Sequence, residues 1–342
     1  MKNLCTIFVN KLNKVKKYKI LIFLIALNVV LFSCKKEEKK DFIGLKGYVF
    51  GTTYTIKYSK TDINYQKAID SLFHLINKSL STYIPTSDIS KINKGDTTIV
   101  VDNYFIEVFK KSEQIYNETN GYFDPTVGNL VNAWGFGPKK EKKNLTVGEV
   151  KSQMQFVGLE KVRISNKKVI KEDPLIYLDF NSIAKGYGID VIGRFLESKK
   201  IKNYLIEIGG EIRARGKNFK EKPWLIGFDN PHTDGTRSVS KFINLSNKSM
   251  ATSGNYRKFR ITQKGDKFVH TVNPKTGFAI ESNLLSASVI SKRDCADVDA
   301  YATAFMAMGL EKTKEFLFTH KDIQVILLYA NNNGDIKEYR NF

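Results

Sequence analysis

The chain has 342 residues, a formal net charge of +20, a hydrophobic content of 42% and three cysteines. The charge does not make a nucleic-acid site: ten lysines and two glutamates in residues 1–40 account for +8 of it, and the remaining +12 is spread along the chain instead of gathered in a stripe. Cys5, Cys34 and Cys295 make no disulfide framework, so apolar burial must hold a body of about 300 residues, long enough for one large domain or two tightly packed lobes.

The N-terminal segment reads as an address. Lysines recur from Lys2 to Lys19, an apolar run extends from Ile20 to Phe32 with Asn28 as its one interruption, and Leu31-Phe32-Ser33 leads into Cys34. A basic region, a short apolar region and a small residue before the boundary form a secretion signal, and the run is too short to span a bilayer comfortably. A cysteine after Leu-x-Ser resembles a lipoprotein signal, which implies a mature chain lipidated at Cys34; the other reading is an uncleaved anchor helix. Either one puts the body outside the cytoplasm, on a bacterial membrane facing the periplasm. Residues 1–33 are read as signal peptide, 34–41 as a charged tether (KKEEKK) and 42–342 as the folded domain.

The stretch GLKGYVFGTTYTIKYS alternates as a hairpin, with its bend at Gly51 and Thr52. A helix is predicted over 64–81 with Ala68, Leu72, Leu75, Ile76 and Leu80 on one stripe, and another over 104–118 burying Phe105, Val108, Phe109 and Ile115. Residues 121–138, GYFDPTVGNLVNAWGFGP, lose periodicity, and loops of that length are uncommon without a purpose. A hairpin through Asn166-Lys167, a strand at IYLDF, a helix over 182–198 and a strand at NYLIEI follow. Gly209-Gly210 suits a tight turn. Strands dominate 224–290, a helix over 296–308 stops at Gly309, and DIQVILLYA supplies a late strand. The pattern is α/β of mixed α+β type, expected as two closely packed lobes with a cleft between them.

Asp299 and Thr303 stand four apart near the start of the helix ADVDAYATAFMAMG, so a carboxylate and a hydroxyl share one face. Hard oxygens at that spacing suit Mg²⁺, which keeps few protein ligands. They equally suit an acid complementing the helix dipole and a threonine bonded to its own backbone, and spacing alone favours this second reading. Asp297 is a candidate cap for the same helix. In LDFNSIAKGYGID, a strand ending at Asp179 and a helix carrying Lys185 can cradle a diphosphate, although Gly186 and Gly188 complete no phosphate-loop pattern. His270 precedes a turn at Val272-Asn273-Pro274 and reads either as a base for a hydroxyl or as a surface histidine.

A rival reading is acyl transfer. Ser182-x-x-Lys185, Ser253-Gly254-Asn255 and Lys275-Thr276-Gly277 repeat in order the triplets of serine β-lactamases and penicillin-binding proteins. That chemistry needs the last triplet on a strand, and Pro274 immediately before it removes a ladder hydrogen bond.

The blocks FGTTYTIKYS, STYIPTSDISKIN, GYFDPTVGNLVNAWGFGP, LDFNSIAKGYGID, YLIEIGGEIRARG, ATSGNYRKF, HTVNPKTG and ADVDAYATAFMAMG resemble, in the same order, those of the FAD:protein FMN transferases, the ApbE family. The resemblance covers nearly everything from Gly47 onward. It implies an enzyme, often lipid-anchored, that splits FAD at its diphosphate with Mg²⁺, transfers FMN to a threonine or serine hydroxyl of an acceptor flavoprotein subunit and releases AMP. By the same resemblance, Ser182 (through a carbonyl of its turn), Asp299 and Thr303 would be metal ligands. Phe50, Tyr83, Tyr122, Phe123, Asp124, Asp179, Lys185 and Val272 would line the FAD site, with Phe50, Tyr83 and Phe123 as walls for the isoalloxazine. His270 would be the base, with Asp299 beside it in catalysis. Two positions depart from the pattern: Phe50 replaces a methionine, and Asn273 replaces the aspartate of H-x-x-D-P. Two other functions share these features, an FAD pyrophosphatase passing FMN to water and a non-catalytic flavin-binding lipoprotein.

Overall fold

The computed structural model describes residues 41–138, 144–231, 237–254, 259–261, 267–279 and 282–342. The expected signal peptide, Cys34, the tether apart from Asp41, and Asn255 lie outside them. Strands β1 (Phe42–Val49) and β2 (Thr52–Ser59) form the first hairpin. Its turn is Phe50-Gly51, one residue earlier than expected, with φ of 51° and 74°; two positive values match the twist of paired strands. A phenylalanine in that region is strained.

Helices α1 (Gln66–Leu80), α2 (Asp88–Asn93), α3 (Asn103–Glu118), α4 (Gly128–Ala133) and α5 (Val147–Met154) follow. In α1 the buried stripe is Ile69, Phe73, Ile76 and Leu80, while Leu75 is exposed. The expected face is thus rotated, because bulky Phe73 takes the core position. Buried Phe105, Val108, Phe109 and Ile115 line α3 as expected. Residues 121–138 are not wholly loop, since α4 lies within them.

After the small hairpin β3 (Val162–Ser165) and β4 (Lys168–Lys171), the segment IYLDF forms no strand, contrary to expectation. It has one bridge, between Val127 and Tyr177, because its backbone is satisfied otherwise: Asn93 Nδ2 donates to Leu178 O at 2.8 Å, and Leu178 N donates to Asn93 Oδ1 at 2.8 Å. A side-chain amide here replaces a neighbouring strand. Helix α6 (Ala184–Ser198), strands β5 (Tyr204–Ile208) and β6 (Glu211–Arg215), β7 (Trp224–Pro231), β8 (Arg237–Leu245) and β9 (Lys248–Gly254) come next. Short β10 (Phe259–Ile261) and β11 (Lys267–Val269) pair with each other. The chain continues with β12 (Leu284–Ser291), α7 (Cys295–Met308), α8 (Leu310–Thr319), β13 (Gln324–Ala330) and β14 (Ile336–Arg340).

Eight strands make one sheet in the order β1-β2-β5-β6-β9-β12-β13-β14, every pair antiparallel. Residues alternate between its two faces. Ile206, Ala251, Val289 and Val325 join the large core under the helices, whereas Leu205, Met250, Ile290 and Ile326 meet Trp224, Ile226 and Leu245 of the β7–β8 ribbon. A third cluster gathers Leu130, Trp134, Val150 and Val272. The class is mixed α/β, as expected, and residues 41–342 form one compact unit sharing this sheet. Among the described residues no helix is long and apolar enough to cross a membrane.

Candidate active site

Helix α7 is buried almost all round, so every polar group it carries must find a partner. Its first turn meets the first turn of α6. A β-carbon on Gly186 would stand 2.3 Å from Cys295 O and 2.8 Å from Ala296 Cα, so only glycine permits this approach. Neither Ile183 nor Asp294, the residues preceding the two helices, supplies a side-chain cap. Each helix caps the other: Asp299 Oδ2 accepts from Gly186 N at 3.0 Å, and Asp190 accepts from Cys295 N at 2.9 Å and Ala296 N at 2.8 Å. Three orphan N–H groups, one of α6 and two of α7, are thereby satisfied across the interface. Asp297 is not the cap; its carboxylate receives Lys111 Nζ at 2.8 Å, and Lys111 also reaches Asp294 at 3.0 Å.

The charges around this crossing are concentrated. Lys185 Nζ lies 2.5 Å from Glu211 Oε1. Burial pulls the Lys185 ammonium down, but the Glu211 and Asp299 carboxylates outweigh it and push its pKa to about 12, so it stays charged. Burial drives the Asp299 carboxyl well above the ordinary carboxylate range against the pull of Lys185, and Glu211 adds to the rise. Glu211 Oε2 is buried with no hydrogen-bond partner among the described residues. Two buried carboxylates thus face one ammonium, a set one positive charge short of balance when both are ionised.

Thr303 follows Asp299 by one turn, and its Oγ1 lies 3.3 Å from Ser253 Oγ. Ser182 occupies the turn directly before α6, where Ile183 N and Ala184 N both donate to Phe180 O. The Asp299 carboxylate thus meets the first turn of α6, the helix that the Ser182 turn leads into. Carboxylate, hydroxyl and backbone carbonyl are hard oxygen donors, and together with the excess negative charge they fit Mg²⁺. Among the described residues no three His, Cys, Asp or Glu side chains gather as a metal cluster.

Three loops are tied together beside this crossing. Asp179 N donates to Pro125 O at 2.7 Å, and Asn181 Nδ2 donates to Thr82 Oγ1 at 3.0 Å. The segments bearing Asp124, Asp179 and Tyr83 are thereby joined. Tyr83 is 58% exposed, and its hydroxyl is raised by partial burial and by nearby Asp179 and Tyr177; an exposed aromatic here is free to stack on a ligand. Asp124 and Asp179 are both pushed to about 6 by burial, against hydrogen bonds from Thr126 and Asn181 respectively. Asp124 also has a structural task, since its Oδ1 accepts from both Thr126 N and Thr126 Oγ1.

Other expected residues are placed differently. Phe123 is 1% exposed and packed in the main core, so its ring supports the fold. The Tyr122 hydroxyl accepts from Lys312 Nζ, with the ammonium over the ring. Val272 is buried with Trp134 and Leu130. His270 stands just after β11, partly buried, in the segment whose Asn273 Nδ2 donates to Ala307 O of α7 at 3.1 Å. The base candidate is thus on a turn bonded to the helix that holds Asp299 and Thr303. Phe50 packs edge-on against Phe73 at 5.6 Å and rests on α6 at Gly188.

The acyl-transfer reading fails on geometry. Lys275 and Thr276 lie in a turn and not on a sheet strand, the Lys185 ammonium is engaged by Glu211, and Ser253 pairs with Thr303. Asp190, Glu211, Arg213 and Lys111 are the residues that sequence reasoning did not single out. A signal existed for two of them: in EIRAR, Glu211 and Arg213 alternate with Ile212 and Ala214, a charged face on a strand flanked by apolar runs.

Residues 50–327 match the ApbE family. The FAD:protein FMN transferase of Haemophilus influenzae is 35% identical over 327 residues, covering 92% of this chain and 93% of the relative. That of Vibrio cholerae is 35% identical over 328 residues, covering 93% and 96%. The solved flavin transferase ApbE from Vibrio cholerae superposes with a TM-score of 0.78 at 33% identity, over 88% of this chain and 97% of that one. Pseudomonas stutzeri flavinyl transferase ApbE, in its apo form, gives a TM-score of 0.77 at 26% identity, over 88% and 95%. With a site of hard oxygens and a lysine at its centre and matches over most of its length, this chain belongs to the ApbE family.

Proposed function

We propose that this protein transfers FMN from FAD to a threonine or serine hydroxyl of an acceptor protein and releases AMP, using Mg²⁺. The single observation that carries the reading is the hydrogen bond from Gly186 N to Asp299, which brings the α7 carboxylate to the first turn of α6, beside Lys185. Relatives named FAD:protein FMN transferase support the reaction.

Asp299, Thr303 and a backbone carbonyl of the Ser182 turn would hold the cation. When bound, Mg²⁺ would neutralise and orient the diphosphate oxygens. Lys185 adds fixed positive charge where negative charge develops, and Glu211 keeps that ammonium in place. Tyr83 and Phe50 are the aromatic groups available to the isoalloxazine. His270 takes the proton of the acceptor hydroxyl; the resulting oxygen forms a bond to the FMN phosphorus as the bond to the AMP oxygen breaks, and AMP leaves with that electron pair. The segment before residue 41 supports a lipid tether at Cys34 outside the cytoplasmic membrane, through its basic region, apolar run and Leu-x-Ser-Cys boundary.

Incubation of the protein with FAD, Mg²⁺ and a threonine-bearing acceptor, followed by intact mass, tests the reading. An FMN-sized adduct on the acceptor is expected; AMP and free FMN with an unmodified acceptor would instead identify an FAD pyrophosphatase.

A further inference from the structure

We propose that Asp190 is a positioning residue for this site: its carboxylate, held by Arg213, fixes the first turn of α7 and thereby the placement of Asp299 and Thr303 relative to Ser182 and Lys185. The inference rests on the function proposed above and specifies how its cation and diphosphate site is kept in register.

Asp190 is fully buried. Its carboxylate receives Arg213 Nη1 at 2.5 Å as well as Cys295 N and Ala296 N, and Arg213 Nη1 also reaches Asp294, the residue that opens α7, at 2.9 Å. A buried ion is a costly way to cap a helix, because a serine or threonine at position 294 would satisfy the same N–H groups locally. What the buried ion adds is a link between helices, and fixing register is the best-attested use of such groups.

The spacing makes the link reciprocal. Gly186 and Asp190 are four apart on α6, and Ala296 and Asp299 are three apart on α7, so each pair lies along one helix face. Gly186 donates to Asp299, while Ala296 donates to Asp190. Both bonds form together at only one rotation and one offset of the two helices. Thr303, four residues beyond Asp299, follows the same face. Releasing Asp190 would leave α7 held at this end by Lys111, by Arg213 on Asp294 and by Asp299 itself, without the bonds to Cys295 N and Ala296 N that fix its first turn, so the metal donors would lose part of the restraint that orders them before a ligand arrives.

The test uses Asp190→Asn in the full chain. Free Mn²⁺ is followed by electron paramagnetic resonance as it is titrated into FAD-bound protein, and the Mg²⁺ dependence of AMP release is measured in parallel. Outer-shell partners of metal ligands characteristically hold about 10- to 100-fold in affinity, and a weakening of that size is expected in both readouts, with the FAD KM at saturating Mg²⁺ near the wild-type value. Asp102→Ala serves as the structural control: it removes the side-chain cap of α3 and should lower the melting midpoint without moving the Mn²⁺ constant. Wild-type Mn²⁺ affinity in Asp190→Asn, or equal weakening in Asp102→Ala, would overturn the proposal. If Asp190→Asn does not accumulate as folded protein, Arg213→Lys is read in the same way, with the same direction of change expected. Asp299→Ala separates the two levels of inference. Loss of Mn²⁺ binding there beside wild-type binding in Asp190→Asn rejects the positioning role alone, whereas wild-type binding in Asp299→Ala rejects the site itself.

Discussion

The ring of Phe50 lies on the backbone of Gly188, so close that a β-carbon at 188 would stand 2.5 Å from Phe50 Cε2. The strained first turn of the sheet, with Phe50 at a φ of 51°, is thus held by packing on the helix that carries Lys185. Gly188→Ala should lower stability although alanine is the better helix former by about 1 kcal/mol, and it should weaken FAD binding by moving the ring. In a Phe50→Ala background the same change should cost much less. A double-mutant cycle by urea denaturation measures the coupling; additivity of the two changes would contradict the account.

Asn273 uses both halves of its amide, Nδ2 donating to Ala307 O and Oδ1 accepting from Lys275 N at 2.9 Å. An aspartate keeps the second bond and loses the first. Asn273→Asp should therefore destabilise the protein by about 1 kcal/mol, the net worth of an ordinary hydrogen bond, as read from the urea midpoint. A gain in stability would show that the tie between the His270 turn and α7 is not made in solution.

The elements with strong periodicity were legible in the sequence: the first hairpin, α3, α7 and the late strand are where pattern places them. Pattern failed where tertiary partners decide. IYLDF has a strand's composition, but Asn93 occupies the place of a neighbouring strand. The stripe of α1 turned because Phe73 outweighs Leu75 at the core. At the site, the Asp299–Thr303 spacing was visible, yet spacing could not distinguish a ligand pair from a helix-end acid. What spacing also could not show is the partner of Asp299, Gly186, 113 positions away in sequence. Asp190 was hidden for the same reason, since its partners, the Arg213 side chain and two backbone groups of α7, lie far away in sequence.

Asp294 gives a pH dependence with a definite sign. Burial would raise its carboxyl, but Lys111 and Arg213 outweigh burial and hold it below the ordinary value of 3.8. A depressed acid contributes stability that is present above 3.8 and lost as pH falls through its folded value. The stability difference between wild type and Asp294→Asn should therefore be constant near neutrality and shrink on the acid side. Urea midpoints across that range provide the check, and a difference that grows on acidification would reverse the assignment.

His270→Ala should reduce turnover by about 10²- to 10⁴-fold, the usual contribution of a positioned base, with little change in FAD binding. Steady-state rates of AMP release, alongside FAD titration, separate the two effects. Unchanged turnover would remove His270 from the mechanism.

The most direct measurement is the intact mass of an acceptor protein after incubation with FAD, Mg²⁺ and either wild type or Asp299→Ala. The account predicts an FMN-sized adduct with wild type, none without Mg²⁺, and none with the variant at any Mg²⁺ concentration. An adduct formed at the wild-type rate by Asp299→Ala would contradict it.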